Sequence, residues 1–155
     1  METSNRESTH VGELRSLNKQ FLDDPIVELE VPHKDERGVI QPLVDEDMKS
    51  AVMIESKKGT VRANHFHKTD WHYCLVISGS IDYYHRPVGD SNPPKHTLVK
   101  TGQTFFTPPM VEHAMVFPED TKFLCLGKNS RDQEVYENDI TRIKLYPEEV
   151  LGAKN

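Results

Sequence analysis

The chain has 155 residues, 35% of them hydrophobic and 28% charged, with a net charge of -6. A chain of this length buries a core as one domain, and its acidic balance excludes duplex nucleic acid, whose phosphates call for clustered Lys and Arg. No apolar run approaches the roughly 20 residues that cross a bilayer, and the first 20 residues lack the apolar region of a secretory signal, so a cytoplasmic protein is expected.

In chain order, residues 1–25 read as a polar arm. Leu14, Leu17 and Phe21 recur at helical spacing, which predicts a short helix within 12–22 that stops at Asp23-Asp24-Pro25. The remainder is short segments divided by turn signals. Strands are expected at 26–31, 38–44, 50–56, 60–67, 71–78, 80–86, 96–99, 104–107, 112–117 and 122–128. The punctuation is Asp35 to Gly38, Lys57-Lys58-Gly59, Ser78-Gly79, Gly89 to Pro94 and Thr101-Gly102. Many short strands with almost no helix predict an all-β sandwich or barrel over 26–130. Residues 131–155 form a polar tail, read either as a final helical turn or as a packed strap. Cys74 and Cys125 lie in apolar strands outside any C-x-x-C pair and are expected to be buried free thiols.

Chemistry is concentrated between Gly59 and Gly79. His65 and His67 are two apart on one predicted strand, so both point to one face about 7 Å apart in Cα. Two imidazoles so placed converge on one ion at roughly 2.1 Å from each nitrogen. His72 opens the next strand after a short turn, and an antiparallel neighbour brings it beside the pair. Period two then sets His72, Cys74 and Val76 on one face, with Tyr73, Leu75 and Ile77 on the other. A second segment, Gly102 to Phe117, delivers His113 after the rigid Pro108-Pro109 turn. The expected ligand set for one divalent ion (Zn, Fe, Mn, Ni or Cu) is therefore His65, His67, His72 and His113.

Those two segments resemble the two motifs of the cupin superfamily. The first is a glycine, five residues, His-x-His, a carboxylate three or four residues on, and a glycine six further. The second is a glycine, five residues, Pro-x-Gly, two residues and a His. Gly59, His65, His67, Gly79, Gly102, Pro108 and His113 fall on that spacing. The chain departs from it twice: His72 stands where the glutamate belongs, and Met110 replaces the glycine of Pro-x-Gly. Because Met takes positive φ only at a cost, the second change is expected to alter the turn. The first leaves the full +2 charge of an ion on neutral imidazoles. The resemblance implies a double-stranded β-helix, the cupin jelly roll, with a short N-terminal arm or helix. It also implies a homodimer.

A looser likeness points to chemistry. Asp35-Glu-Arg-Gly38 resembles the D-x-R-G turn of cupins that epimerise or isomerise nucleotide-linked keto-sugars. Val61-Arg-Ala-Asn-His-Phe-His-Lys68 is similar to the R-G-x-H-x-H-K stretch of sugar ketoisomerases and of capsule-synthesis cupins, with Ala63 in place of the glycine. This implies proton removal beside a sugar ketone, with an enolate stabilised by metal or hydrogen bond. A metal-bound imidazole has no lone pair for that proton, so ligand and base roles compete at each His. Two alternatives stand beside it: a metal-dependent dioxygenase or lyase acting on a small organic acid or diketone, and a non-enzymatic cupin that binds a small molecule. On an octahedral ion four His ligands leave two open positions, whereas on a tetrahedral ion they close the site.

Around the site, Arg62 is a rim candidate for an anion. One of Tyr83 and Tyr84 points inward; Tyr84, with Phe105, is the substrate-contact candidate. Trp71 is expected to pack over the barrel mouth, and His10, His33, His85 and His96 are expected at the surface or in turns.

Overall fold

A computed structural model describes residues 20–152. Three of the strands are β1 (His33–Asp35), β2 (Gly38–Ile40) and β3 (Ser50–Ser56). The centre of the chain supplies β4 (Val61–His67), β5 (His72–Ser78), β6 (Ser80–Pro87), β7 (Lys95–Lys100), β8 (Thr104–Thr107), β9 (Val111–Val116) and β10 (Thr121–Gly127). A helix α1 (Gln133–Asp139), a strand β11 (Ile140–Arg142) and helical turns at Leu145–Glu149 and Val150–Gly152 complete it. A four-stranded sheet, β3-β10-β5-β8, and a five-stranded sheet, β11-β4-β9-β6-β7, are antiparallel throughout, with β1-β2 as a separate hairpin. This is the expected all-β jelly roll.

Alternation explains the strands. On β5 the burial runs His72, Cys74 and Val76 in, Tyr73, Leu75 and Ile77 out, as period two requires. Val76, Ile81, Val99, Phe117 and Phe123 are wholly buried and form the apolar part of the core, with Cys74, Tyr83, Phe105 and Cys125 beside them. The inner rows change character along their length: Phe123, Cys125, Gly127 on β10; Val76, Cys74, His72 on β5; Ile81, Tyr83, His85 on β6. One end of the interior is thus hydrocarbon and the other is imidazole.

The segment 26–31 forms no strand. Only Ile26 makes a bridge, to Phe105, while Val27 N–H donates to Thr104 O and Phe106 N–H to Pro25 O. Pro25 to Val27 thereby covers the open edge of β8. The predicted helix lies mostly outside the described residues; its last turn, 20–23, ends before Pro25, and Phe21 packs on Phe106 with ring centroids 4.8 Å apart. The polar tail supplies more than a strap. Asp132 caps α1 by accepting from Glu134 N–H, and β11 then pairs with β4 as a sheet edge. Among the described residues no helix is long and apolar enough to cross a membrane.

Candidate metal and proton-transfer site

The site sits at the imidazole end, where β4 and β9 of one sheet face β5 of the other. Register sets His65 beside His113 across a bulge in β4 at Ala63 and Asn64. The bulge is built from two left-handed residues, Ala63 at φ 69° and Asn64 at φ 52°. It re-aims His65 inward, as bulges beside sites do. The Asn64 side chain then clamps the C-terminal segment, donating to Tyr146 O at 2.9 Å and accepting from Tyr146 N–H at 3.0 Å.

His65, His67 and His113 are all buried, and each offers a ring nitrogen within 4.8 Å of the other two. Their ring centroids are 4.7 Å (65–67), 4.8 Å (65–113) and 5.6 Å (67–113) apart. His113 Nδ1–H donates to Val111 O at 2.9 Å, which fixes its tautomer and turns the Nε2 lone pair into the cluster. Burial, then the neighbouring histidines, pushes His65 down to about 3 and His67 down to about 4. The cluster is neutral at physiological pH, the form that binds a metal. Neither ring nitrogen of His67 has a hydrogen-bond partner, although Nδ1 lies 3.4 Å from Asp139 Oδ2. A buried imidazole left in this state fits an ion as its missing partner.

The donor atoms of His72 gather with those of His67 rather than with His65 and His113. Its ring touches that of His67, with centroids 4.6 Å apart, but its Nε2 lies 2.8 Å from Asp70 Oδ2. His67, Asp70 and His72 form a second group of closely spaced donor atoms. Burial opposes charge on His72, yet Cys125 and Asp70 outweigh it and raise the imidazole to about 9. Asp70 is in turn fixed by accepting from Asn129 N–H at 2.9 Å. Asp139, at the end of α1, ties down the intervening turn, accepting from Thr69 N–H (2.9 Å), Thr69 Oγ1–H (2.7 Å) and Asp70 N–H (3.1 Å).

The sequence reading missed Asp70, Asp139, Arg131 and Tyr136. Asp70 lay in plain view, two residues before His72; the other three sit in the tail and carry no motif. The Arg131 guanidinium stacks 4.6 Å over the Tyr136 ring, which itself stands 5.8 Å from that of His67. Both line a cavity of about 160 Å³ with His65, His72, Cys74 and Cys125.

Of the substrate-contact candidates, Phe105 and Arg62 line this cavity. Arg62 also pins the seam between sheets, donating to Ser56 Oγ at 2.6 Å and to Glu55 O at 3.0 Å. Tyr84 is a correction. It points outward and stacks on His96 and Tyr146, whereas Tyr83 is the inward residue, its hydroxyl 2.7 Å from Thr107 Oγ1. The parity was readable, since Tyr84 alternates with Asp82 and Arg86, and Tyr83 with Ile81. His85 shares the inward parity and is buried against Tyr83 rather than lying at the surface, while His33 and His96 are exposed as expected. His10 lies outside the described residues. Trp71 packs on the outer face against Tyr73 and Phe106, away from the mouth.

Against known proteins, no family model and no curated protein matches the chain. Solved structures do share its fold. A 3,4-ketoisomerase variant from Thermoanaerobacterium thermosaccharolyticum, in complex with TDP-4-keto-6-deoxyglucose, is 18% identical over 83% of this chain and 92% of that one, with a TM-score of 0.60. A 3,4-ketoisomerase from Helicobacter canadensis is 19% identical over 84% and 96%, TM-score 0.60. The RmlC epimerase of Mycobacterium tuberculosis is 15% identical over 76% and 67%, also at 0.60. The architecture common to them is the cupin jelly roll.

Proposed function

We propose that the chain is a metal-binding enzyme that moves a proton beside the ketone of a small carbonyl substrate, with nucleotide-linked keto-sugars as the favoured class. One observation carries the reading: His67 is buried beside His65 and His113 with its Nε2 unpartnered and its Nδ1 turned to the Asp139 carboxylate at 3.4 Å. The keto-sugar in a ketoisomerase of the same fold supports the substrate class.

His65, His67 and His113 would hold the ion. Bound there, a divalent metal polarises a carbonyl oxygen and steadies the enolate formed beside it. The geometry supports a division of the roles that compete in the sequence. A carboxylate-held imidazole is the arrangement of a general acid–base, and only His72 of the four has its ring nitrogen on a carboxylate at 2.8 Å. We therefore assign His72 to the proton and the other three to the metal. Arg131, Arg62 and Phe105 line the space in which a substrate ring would lie.

Two measurements test the assignment. Purified protein should carry about one equivalent of a single metal, lost in His65→Ala/His67→Ala. His72→Gln should retain the metal yet lose deuterium exchange from D2O into keto-sugar nucleotides by about 100-fold or more. Metal loss in His72→Gln would return that residue to the ligand set, and an absence of metal after reconstitution would overturn the site.

The small cavity favours a second reading. At about 160 Å³ it falls below the roughly 300 Å³ at which ligand pockets begin. It admits a reacting ring but not a nucleotide, and a small organic acid or diketone fits it whole. Bound iron, manganese or copper, with oxygen uptake on such substrates, would replace isomerisation by dioxygenase or lyase chemistry.

We also propose a homodimer. Val31, Val39 and Ile40, at and beside the hairpin, are 91%, 60% and 67% exposed, and a second copy would cover them. Light scattering at a monomer mass would exclude it.

A further inference from the structure

Cys74 and Cys125 play no part in the reaction proposed above. They stand directly opposite each other on β5 and β10, and both are free and buried. Directly opposed residues of an antiparallel pair have Cα atoms about 4.5–5.5 Å apart, inside the roughly 4.4–6.8 Å that a disulfide spans. Both side chains project inward and line the histidine cavity.

The next inward pair along the ladder is His72 and Gly127. A Cβ on Gly127 would lie 3.0 Å from His72 Cδ2. The glycine thus leaves the ring room to lean across β10 toward Cys125, the next inward residue of that strand. Asp70 holds the ring through its Nε2 at 2.8 Å. Cys125 is therefore the thiol on the strand that the oriented imidazole leans across, and Cys74, directly opposite it, is the thiol placed to meet it.

We infer that Cys125 and Cys74 form a peroxide-reactive dithiol site, Cys125 attacking and Cys74 resolving. The cavity restricts the oxidant to hydrogen peroxide or another small hydroperoxide. The Cys125 sulfur takes the distal peroxide oxygen as the O–O bond breaks, and the leaving oxygen departs with the thiol proton, as water when the oxidant is hydrogen peroxide. The Cys74 sulfur then attacks the sulfenic sulfur; the S–O bond breaks, the S–S bond forms, and water leaves with the second thiol proton. Two thiols are oxidised by two electrons while the peroxide is reduced.

The test treats native full-length protein with hydrogen peroxide, quenches it with N-ethylmaleimide in denaturant, and reads intact and peptide masses. In the wild type both thiols should be lost to alkylation, the chain should be two hydrogens lighter, and the linked peptides should be those of Cys74 and Cys125 within one chain. Cys74→Ala should stall at a Cys125 sulfenic acid that dimedone traps, and Cys125→Ala should leave Cys74 alkylatable. Wild-type thiols that stay alkylatable, or a Cys125 driven to sulfinic acid without the link, would overturn the site. Neither readout depends on bound metal or on isomerase activity, and the wild-type result stands even if a variant fails to fold.

Discussion

Ala63 and Met110 occupy left-handed backbone, at φ 69° and φ 60°, where an L side chain crowds the carbonyl that follows. Met110 was expected to change the turn because it replaces a glycine; the turn keeps its glycine geometry instead. Two contacts hold it there, Met110 N–H to His67 O at 2.7 Å and Val88 N–H to Met110 O at 3.0 Å. Met110 is 46% exposed, so its side chain contributes little packing to offset the cost. Ala63→Gly and Met110→Gly should each stabilise the fold by about 1 kcal/mol, read as a rise of a few degrees in thermal midpoint. His85 makes the opposite kind of contribution. Burial, then Lys95, pushes it down to about 4 against the opposing pull of Asp24 and Asp23, and its Nε2 has no partner; His113 faces it across the β6–β9 ladder. The unfolded chain takes up a proton near 6.5 and the folded chain refuses it until about 4. Stability is therefore lost as pH falls through that window, by on the order of 3 kcal/mol from this residue. His85→Phe should flatten the fall in urea midpoint between neutral pH and pH about 4.5 without abolishing it, because His65 and His67 are depressed as well.

At the scale of elements, legibility followed punctuation. The strands at 50–56 and 104–107 were readable to the residue, because Gly, Pro and charged turns bound them and their composition is strand-like. The segment 26–31 has strand composition too, but its neighbour is a sheet edge that needs only three residues of cover. Strand β11 is three residues long and buries only Ile140, too short for any periodicity to register. Helix α1 left one cue, the acidic cap at Asp132. It was the least readable element and the one most needed, since it ends in Asp139. Asp139→Ala removes three hydrogen bonds to the turn before His72. We expect a loss of about 2–3 kcal/mol in stability, together with weaker metal retention on dialysis while metal binds in excess. Unchanged metal retention would show that α1 only covers the site.

For the whole molecule, the sequence pattern anticipated a barrel with four converging histidines because much of their spacing is local. His65 and His67 share a strand, and His72 follows after one turn. What could not be read was the division of labour we propose among the four, which rests on Asp70 and on register between sheets. If the triad holds an ion, the metal is a tie between β4 and β9 of one sheet. Chelation should lower the thermal midpoint, and restored metal at about 1,000 times its dissociation constant should return roughly 4 kcal/mol. An unmoved midpoint would mean that the unfolded chain binds the ion equally well, or that the native one does not bind it.

The connection of the turn at Thr69 and Asp70 to Asn129 and Asp139 has a bearing on how the protein is made. All four histidines leave the ribosome before any residue of the segment that braces them. A nascent chain that has reached His113 holds four imidazoles without the carboxylate of Asp139, without the Asn129 amide on Asp70, and without Tyr136 over the rings. If the proposed site holds an ion, one caught at that stage would meet ligands not yet braced. The site's full set of braces exists only once residues 129–139 are in place, so the choice of metal would fall at the end of synthesis and follow the supply of free ions rather than the order in which the ligands emerge.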